Sequence, residues 1–228
     1  MNPALRHSAA HVFVSSVDQP ELAADDEHHL VRVLRLRDGE QVSVSDGRGA
    51  WRLTRFAGGV LAPDDEVHRA DVERALPRTT LVSAIPKGDR VDWMVQKLTE
   101  LGVDEIVFMH ASRSVVRWEG ERGAQQLARA RRIAKEAAMQ SRRTWLPELR
   151  GPVDFASAIH LPDAVVADPG GDAIGAQRCV LVGPEGGFTD AELESGRATV
   201  SVGTGILRVE TAAIAVAAWW ALHGADAT

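Results

Sequence analysis

The sequence predicts an α/β protein in two parts, a small β-barrel followed by a mostly parallel sheet with helices on both faces. Three observations support this fold class. Short alternating strands with an Asp-Gly turn occupy roughly the first 75 residues. Beyond them strands alternate with helical patterns, which is typical of a parallel sheet. The 228 residues, 45% of them apolar, are enough to bury a core in each part.

The first part contains four predicted strands. We expect them at residues 12–14, 30–36, 41–45 and 51–56. The last two are joined through Asp46-Gly-Arg-Gly49, a hairpin signal between alternating runs. The pattern changes after Leu76-Pro77-Arg78, so we predict two domains, residues 1–75 and residues 76–228.

The second part alternates strands and helices. We expect strands at 79–85, 104–109, 164–167, 179–182 and near 199–202, and helices at 91–101, 121–140 and 212–222. Gly102 ends the first helix. The last helix is apolar almost all round, so it must be buried against the sheet or against a second subunit. Its eleven residues are too few to cross a membrane.

Composition restricts the location and the chemistry. No basic start leads into an apolar signal core, and no apolar run approaches the roughly 20 residues of a membrane span. We therefore expect a cytoplasmic protein without a membrane partner. The single cysteine, Cys179, supplies no cluster for zinc, and we predict no metal site.

The charge is distributed unevenly, although the net charge is −6. Residues 1–76 carry 9 basic and 13 acidic residues, residues 77–150 carry 14 and 9, and residues 151–228 carry 3 and 10. Nine of the basic residues lie between Arg113 and Arg143. A solvated helix face is one interpretation of this segment. A basic face on an acidic protein is also what RNA binding requires.

The first of two conspicuous loops is Gly183-Pro-Glu-Gly-Gly187, which follows a predicted strand at the edge where α/β sheets bind ligands. Thr189 and Glu192 form a capping box after it, and Phe188 with Leu193 has the spacing of a hydrophobic staple. Its glycines let a ligand approach the backbone closely, and a tight turn without a ligand is the alternative.

The chemistry of this loop favours a cationic ligand. It lacks the Gly-Lys-Ser/Thr ending of a phosphate-binding loop, and Glu185 would repel phosphates. A ligand with ribose hydroxyls and a cationic centre suits it better, which describes S-adenosylmethionine.

The second loop runs from Gly203 to Ala212. Arg208 and Glu210 are its only ionised residues, in an apolar setting where charges are costly unless paired or used. An Arg208–Glu210 ion pair, or Glu210 at a helix start, would be a purely structural explanation.

Together the two loops resemble those of the RsmE family, the 16S ribosomal RNA uracil-N3 methyltransferases of the SPOUT class. The matching motifs occur in the family's order at residues 29–39, 95–103, 113–116, 135–143, 183–188 and 206–212. Two positions depart from the pattern. Gly205 stands where an arginine is common, and Val209 replaces the usual threonine.

The resemblance implies a trefoil-knotted SPOUT domain after a PUA-like RNA-binding barrel, and a homodimer with its site near the subunit interface. It also implies that the two loops bind S-adenosylmethionine. The expected cofactor-binding residues are Leu181, Val182, Gly183, Pro184, Glu185, Gly186, Gly187, Val202, Gly203, Ile206, Leu207, Arg208 and Thr211.

The implied reaction is methylation of N3 of a specific uridine in 16S ribosomal RNA, in the assembled or nearly assembled small subunit. Arg208 and Glu210 are the catalytic candidates. Arg208 would stabilise negative charge on the uracil oxygens, while Glu210 would accept the N3 proton or orient Arg208. The expected RNA-binding residues are Arg6, Arg32, Arg35, Arg113, Arg131, Arg132, Arg142 and Arg143.

Two other functions remain open at this stage. One is a SPOUT methyltransferase acting on transfer RNA or at a ribose 2'-hydroxyl. The other is a non-catalytic ribosome-assembly factor that binds RNA.

Overall fold

The computed structural model describes residues 2–69 and 78–223. These residues form two compact units. The first contains residues 2–69 and 135–146, and the second contains residues 78–134 and 147–223. The predicted boundary at Leu76-Pro77 lies outside the described residues, so the division at residues 75 and 76 stays a prediction.

The first unit is built on a five-stranded sheet. Its elements are α1 (Pro3–His7), β1 (Ala10–Phe13), α2 (Ala24–His28), a π-helical turn (His29–Val33), β2 (Gln41–Ser45), β3 (Ala50–Ala57), β4 (Val60–Pro63) and β5 (His68–Arg69). The strand order is β1-β2-β3-β4, and β5 also pairs with β3. Strands β1 and β2 are parallel, and the other pairs are antiparallel.

The predicted hairpin of β2 and β3 is confirmed. Asp46 Oδ1 accepts hydrogen bonds from the backbone N–H groups of Arg48 at 2.7 Å and Ala50 at 3.1 Å. Gly47 and Gly49 have φ angles of 73° and 97°, which explains why glycine stands at both positions. The local sequence therefore specifies this turn.

The predicted strand at residues 30–36 is wrong. The chain forms the π-helical turn there, and Leu36 N–H donates to Leu30 O at 3.1 Å, which closes the segment on itself. Leu30 is fully buried, whereas Val33 and Leu34 are 60% and 49% exposed. A strand would have placed Leu30 and Leu34 on the same buried face.

The second unit is built on a six-stranded parallel sheet of order β11-β9-β10-β6-β7-β8. Its elements are β6 (Thr80–Ala84), α3 (Arg90–Glu100), β7 (Glu105–His110), α4 (Gly120–Gln140), β8 (Glu148–Asp154), α5 (Phe155–Ala158), β9 (Ala164–Ala173), β10 (Cys179–Val182), α6 (Asp190–Leu193), β11 (Thr199–Ser201) and α7 (Val209–His223). The last turns of α4 belong to the first unit.

Hydrophobic clusters cover both faces of this sheet. Leu81 and Val180 lie in a cluster that includes residues of α3, α4 and α7. The next residues along the same strands, Val82 and Leu181, lie in a second cluster with α5 and Leu193 of α6. Successive side chains of a strand point to opposite faces, so the predicted helices on both faces are confirmed.

Strand β8 and helix α5 were not predicted. Pro152 interrupts the apolar pattern of β8, which makes the segment resemble a loop. The strand lies at one end of the sheet order, where a proline is tolerated because one side of an edge strand needs no ladder hydrogen bonds.

Helix α7 is buried on one side, as predicted from its apolar sequence. It packs against α3, β6 and β10. The indole Nε1 of Trp220 donates to Gln177 O at 2.6 Å, and that of Trp219 donates to Gly175 O at 3.1 Å. Leu222 is 75% exposed. Within residues 2–69 and 78–223, no helix has the length and apolar character that a membrane span requires.

Candidate active site

A cavity of about 300 Å³ lies beyond the carboxyl ends of β10 and β11. Sites for small ligands are usually ~300–1,000 Å³. The two predicted loops and the middle of β9 form its walls. The lining residues are Ala167, Asp168, Pro169, Val182, Gly183, Pro184, Glu185, Gly186, Gly187, Phe188, Ser201, Val202, Gly203, Gly205, Ile206, Leu207, Val209 and Ala212.

The structure brings together all but three of the predicted cofactor-binding residues. The exceptions are Leu181, Arg208 and Thr211, which do not line the cavity. Leu181 is fully buried in the hydrophobic cluster on one face of the sheet, because the residues of a strand alternate between faces. Arg208 and Thr211 are exposed. The cofactor-binding role of the whole set stays a prediction.

Sequence reasoning missed the wall formed by Ala167, Asp168 and Pro169. These residues lie in β9 just past its pairing with β10. The sequence identifies β9 as a strand but not as the neighbour of β10. The order of strands in the sheet therefore had to be known before this wall could be found.

The glycine loop, residues 183–187, is held in a tight turn. Gly187 N–H donates to Pro184 O at 2.8 Å, and Gly187 has a φ of 68°. A Cβ atom at Gly183 would lie 2.8 Å from Cε2 of Phe188, too close without a shift of the buried ring. The close approach of Phe188 therefore explains glycine at position 183, and the positive φ favours glycine at position 187.

The helix start after the glycine loop has the predicted capping box. Thr189 N–H donates to Glu192 Oε2 at 2.8 Å, and Glu192 N–H donates to Thr189 Oγ1 at 3.3 Å. Ser112 N–H, from the loop after β7, donates to Glu192 Oε1 at 2.9 Å. Burial raises the pKa of Glu192, but these N–H donors outweigh it and hold the pKa below its ordinary value.

Arg113 contacts the glycine loop from the outside. Its Nη1 donates to Gly186 O at 3.0 Å and to Phe188 O at 2.9 Å. The sequence indicated Arg113 as an RNA contact, but it could not show which carbonyl groups lie beside the guanidinium. This interaction joins the segments that follow β7 and β10, two strands that are not neighbours in the sheet.

The second loop is much more open than the glycine loop. Residues 203–208 are all exposed, and Ile206 is 93% exposed. The side chain of Arg208 forms no hydrogen bond or ion pair with the described part of the chain. Arg208 is therefore available for a ligand or an RNA.

Glu210 pairs with Arg90 at the start of α3 and not with Arg208. Arg90 Nε lies 3.6 Å from Glu210 Oε1. Glu210 is 5% exposed, and its Oε2 has no hydrogen-bond partner among residues 2–69 and 78–223. The Arg208–Glu210 ion pair considered above is absent, and Glu210 occupies the first turn of α7.

Both ionised side chains that line the cavity are acidic. Asp168 is half-buried, and its Oδ2 accepts a hydrogen bond from Gly170 N–H at 2.8 Å. Glu185 is exposed. Negative charge on the walls favours a cationic ligand and opposes phosphate groups.

The predicted RNA-binding arginines fall into two groups. Arg131 Nη2 donates to Leu149 O at 2.9 Å, and Arg142 Nη2 donates to Ser8 O at 2.8 Å. Burial lowers the pKa of Arg142. Arg143 is half-buried, and its backbone carbonyl accepts from His11. Four exposed arginines have no side-chain partner among the described residues: Arg6, Arg32, Arg35 and Arg132.

The parallel α/β fold with its cavity is that of an RNA methyltransferase domain, as the matching family model shows. Residues 73–221 match a family described as an RNA methyltransferase domain, and residues 22–58 match an RNA methyltransferase PUA domain. The second of these matches confirms the predicted PUA-like domain near the N-terminus.

Relatives that are similar over most of the chain identify the family within this class. A ribosomal RNA small subunit methyltransferase E of Bacillus subtilis is 30% identical over 220 residues, covering 84% of this chain and 85% of the relative. One of Mycobacterium tuberculosis is 32% identical over 215 residues, covering 83% and 80%. The structure of a Neisseria gonorrhoeae protein of that name, bound to S-adenosyl methionine, has a TM-score of 0.79 at 29% identity and covers 94% and 97%. The chain belongs to the ribosomal RNA small subunit methyltransferase E family, the RsmE family.

Proposed function

We propose that the protein transfers a methyl group from S-adenosylmethionine to N3 of a uridine in the ribosomal RNA of the small subunit. The observation that carries this proposal is the cavity, which has acidic walls and lies beside the unpaired, exposed Arg208. Membership of the family and the names of its relatives support the reaction and the type of RNA.

The cavity suits the proposed cofactor. Gly183, Gly186 and Gly187 offer backbone groups at close range, and Asp168 and Glu185 supply negative charge. When bound, the cofactor supplies a methyl group attached to a positively charged sulfur. The chain's own contribution is to hold the partners in line and to exclude water, because the leaving group is a neutral thioether.

Arg208 supplies the positive charge that the target base needs. Uridine N3 becomes nucleophilic when it loses its proton to water, and the negative charge left on the base then spreads onto O2 and O4. A guanidinium beside these oxygens would stabilise that charge. Arg208 is free to do so, since it has no other partner among the described residues.

The position of Glu210 favours a supporting role over proton transfer. Its carboxylate is buried, pairs with Arg90 and does not line the cavity. A general base must reach the proton that it accepts. We propose that Glu210 fixes the start of α7, and so the end of the loop that carries Arg208.

RNA binding is assigned to the PUA-like domain, residues 1–75, and to the basic segment of the methyltransferase domain, residues 76–228. The exposed Arg6, Arg32, Arg35 and Arg132 are the best candidates for phosphate contacts. Arg132→Ala should weaken RNA binding and reduce its salt slope by about one. Arg131→Ala is the matched control, because its guanidinium already binds Leu149 O. Equal effects of the two changes would contradict this assignment.

We further propose that the protein acts in the cytoplasm as a homodimer, on the assembled or nearly assembled small subunit. The dimer is supported by apolar side chains of α7 that stay accessible, among them the half-buried Ile214 and Trp219 and the exposed Leu222. Sedimentation should give a dimer at micromolar concentration. A monomer alone would contradict the proposal.

Mass spectrometry of ribosomal RNA tests the reaction. RNA from a deletion strain should lack one methyl group on a uridine base, and purified protein should restore it on isolated small subunits. A methyl group missing from a transfer RNA or from a ribose would indicate another SPOUT substrate. Unchanged methylation together with RNA binding would indicate a non-catalytic assembly factor.

A further inference from the structure

We propose that Arg113 is a positioning residue of the cofactor site, which holds the glycine loop in its binding conformation. This inference rests on the proposed function for its ligand. The contacts between Arg113 and the glycine loop are observed in the structure and do not depend on the identity of the ligand. Arg113 does not line the cavity. It would act through the loop's backbone carbonyl groups, on the side away from the ligand.

The two carbonyl groups that Arg113 binds lie on either side of Gly187, which has a positive φ. Nη1 donates to Gly186 O at 3.0 Å and to Phe188 O at 2.9 Å, and Gly187 between them has a φ of 68°. In this conformation both carbonyls point at the same guanidinium nitrogen. Glycine reaches many other conformations in a free loop. The guanidinium therefore selects the turn from the alternatives.

The segment that carries Arg113 is held in a hydrogen-bonded turn. Ala111 N–H donates to Ser114 Oγ at 2.9 Å, and Ser114 N–H donates to Ala111 O at 3.0 Å, which closes residues 111–114 into a turn. Ala111 is buried. Ser112 N–H also binds Glu192 of the capping box at 2.9 Å. The turn after β7 therefore binds the glycine loop through Arg113 and helix α6 through Ser112.

The stem of Arg113 also covers the loop. A Cβ atom placed on Gly186 would lie 3.4 Å from Arg113 Cβ and 3.5 Å from its Cδ. The methylene groups therefore lie against the outer face of Gly186. A planar guanidinium with several donors can serve two carbonyls at once, whereas the compact ammonium of a lysine serves them less well.

The test compares Arg113→Ala and Arg113→Lys with the control Arg117→Ala. Arg117 lies on the same segment, is exposed, and has no hydrogen bond or ion pair with the described residues. Calorimetry should show S-adenosylmethionine affinity reduced by about tenfold for Arg113→Ala, partly restored for Arg113→Lys, and unchanged for the control. The KM for the cofactor should rise while the KM for RNA stays the same.

A second measurement needs no cofactor. Hydrogen exchange at the amide of Gly187, whose N–H binds Pro184 O, should become faster in both Arg113 variants and not in the control. Unchanged exchange and unchanged cofactor affinity would overturn the proposal, and a flatter salt dependence of RNA binding in the same variants would make Arg113 an RNA contact. A wild-type protein that does not bind S-adenosylmethionine would overturn the proposed function. The exchange result would still decide the role of Arg113. If Arg113→Ala does not fold, Arg113→Lys provides both measurements.

Discussion

The two loops that line the cavity differ sharply in how they are held. The glycine loop has an internal turn, two hydrogen bonds from Arg113 and a capping box behind it. The buried ring of Phe188 anchors its end. The second loop is exposed throughout residues 203–208, which include the unpaired Arg208.

This difference separates two tasks within one site. A preformed loop binds a small ligand without paying to become ordered. An open loop with a free cation can adapt to a large substrate such as RNA. We therefore expect changes in the glycine loop to affect cofactor affinity, and changes in the second loop to affect turnover.

The largest effect is expected at Arg208. Arg208→Ala should lower turnover on the order of a hundredfold or more, which is typical for the loss of one donor to a developing negative charge. Cofactor affinity should fall much less. Arg208→Lys should restore part of the activity, since it keeps the charge but loses the planar fork. Normal turnover by Arg208→Ala would contradict the assignment of turnover to the second loop.

Glycine substitutions compare the loops directly. Gly183→Ala should weaken cofactor binding by about tenfold, equivalent to ~1.4 kcal/mol, because the new Cβ would clash with Phe188. Gly205→Ala is the matched control in the second loop, where a Cβ meets nothing within 4 Å. Calorimetry on both variants provides the measurement. Equal losses of affinity would mean that the second loop is as constrained as the first.

A substitution at Glu210 tests whether the second loop depends on the ion pair between Glu210 and Arg90. Glu210→Gln should lower stability by about 1 kcal/mol, since the partner Arg90 is partly exposed and the contact is long. The melting temperature should fall, and cofactor affinity should not change. A loss of turnover as large as that of Arg208→Ala, without a change in melting temperature, would instead support a role in proton transfer.

The smallest effect is expected from the acidic wall. Asp168→Asn should reduce affinity for S-adenosylmethionine by about threefold, a typical size for one partly solvated charge. Affinity for S-adenosylhomocysteine, whose sulfur is neutral, should fall less. Asp172→Asn is the control, because Asp172 lies on the same strand, is exposed and does not line the cavity. Equal losses for both ligands would show that Asp168 does not sense the charge on sulfur.

The sequence by itself determined the features that depend on neighbouring residues. The turn at 46–49, the capping box of Thr189 and Glu192 and the ends of most strands and helices follow from local hydrogen bonding and from the periodicity of apolar residues. The same local rules placed the two glycine-rich loops after strands. The order of the motifs along the chain then indicated the family, because these motifs extend over nearly the whole sequence.

Only the tertiary structure decided which distant residues meet. It joined Arg113 to the glycine loop, paired Glu210 with Arg90 and brought Asp168 to the cavity. It also turned residues 30–36 away from the strand that their alternation predicts, since a single buried leucine and a closing hydrogen bond outweighed the pattern. These outcomes depend on strand order and on long-range packing, which set the neighbours of each side chain and leave no periodic signal in the sequence.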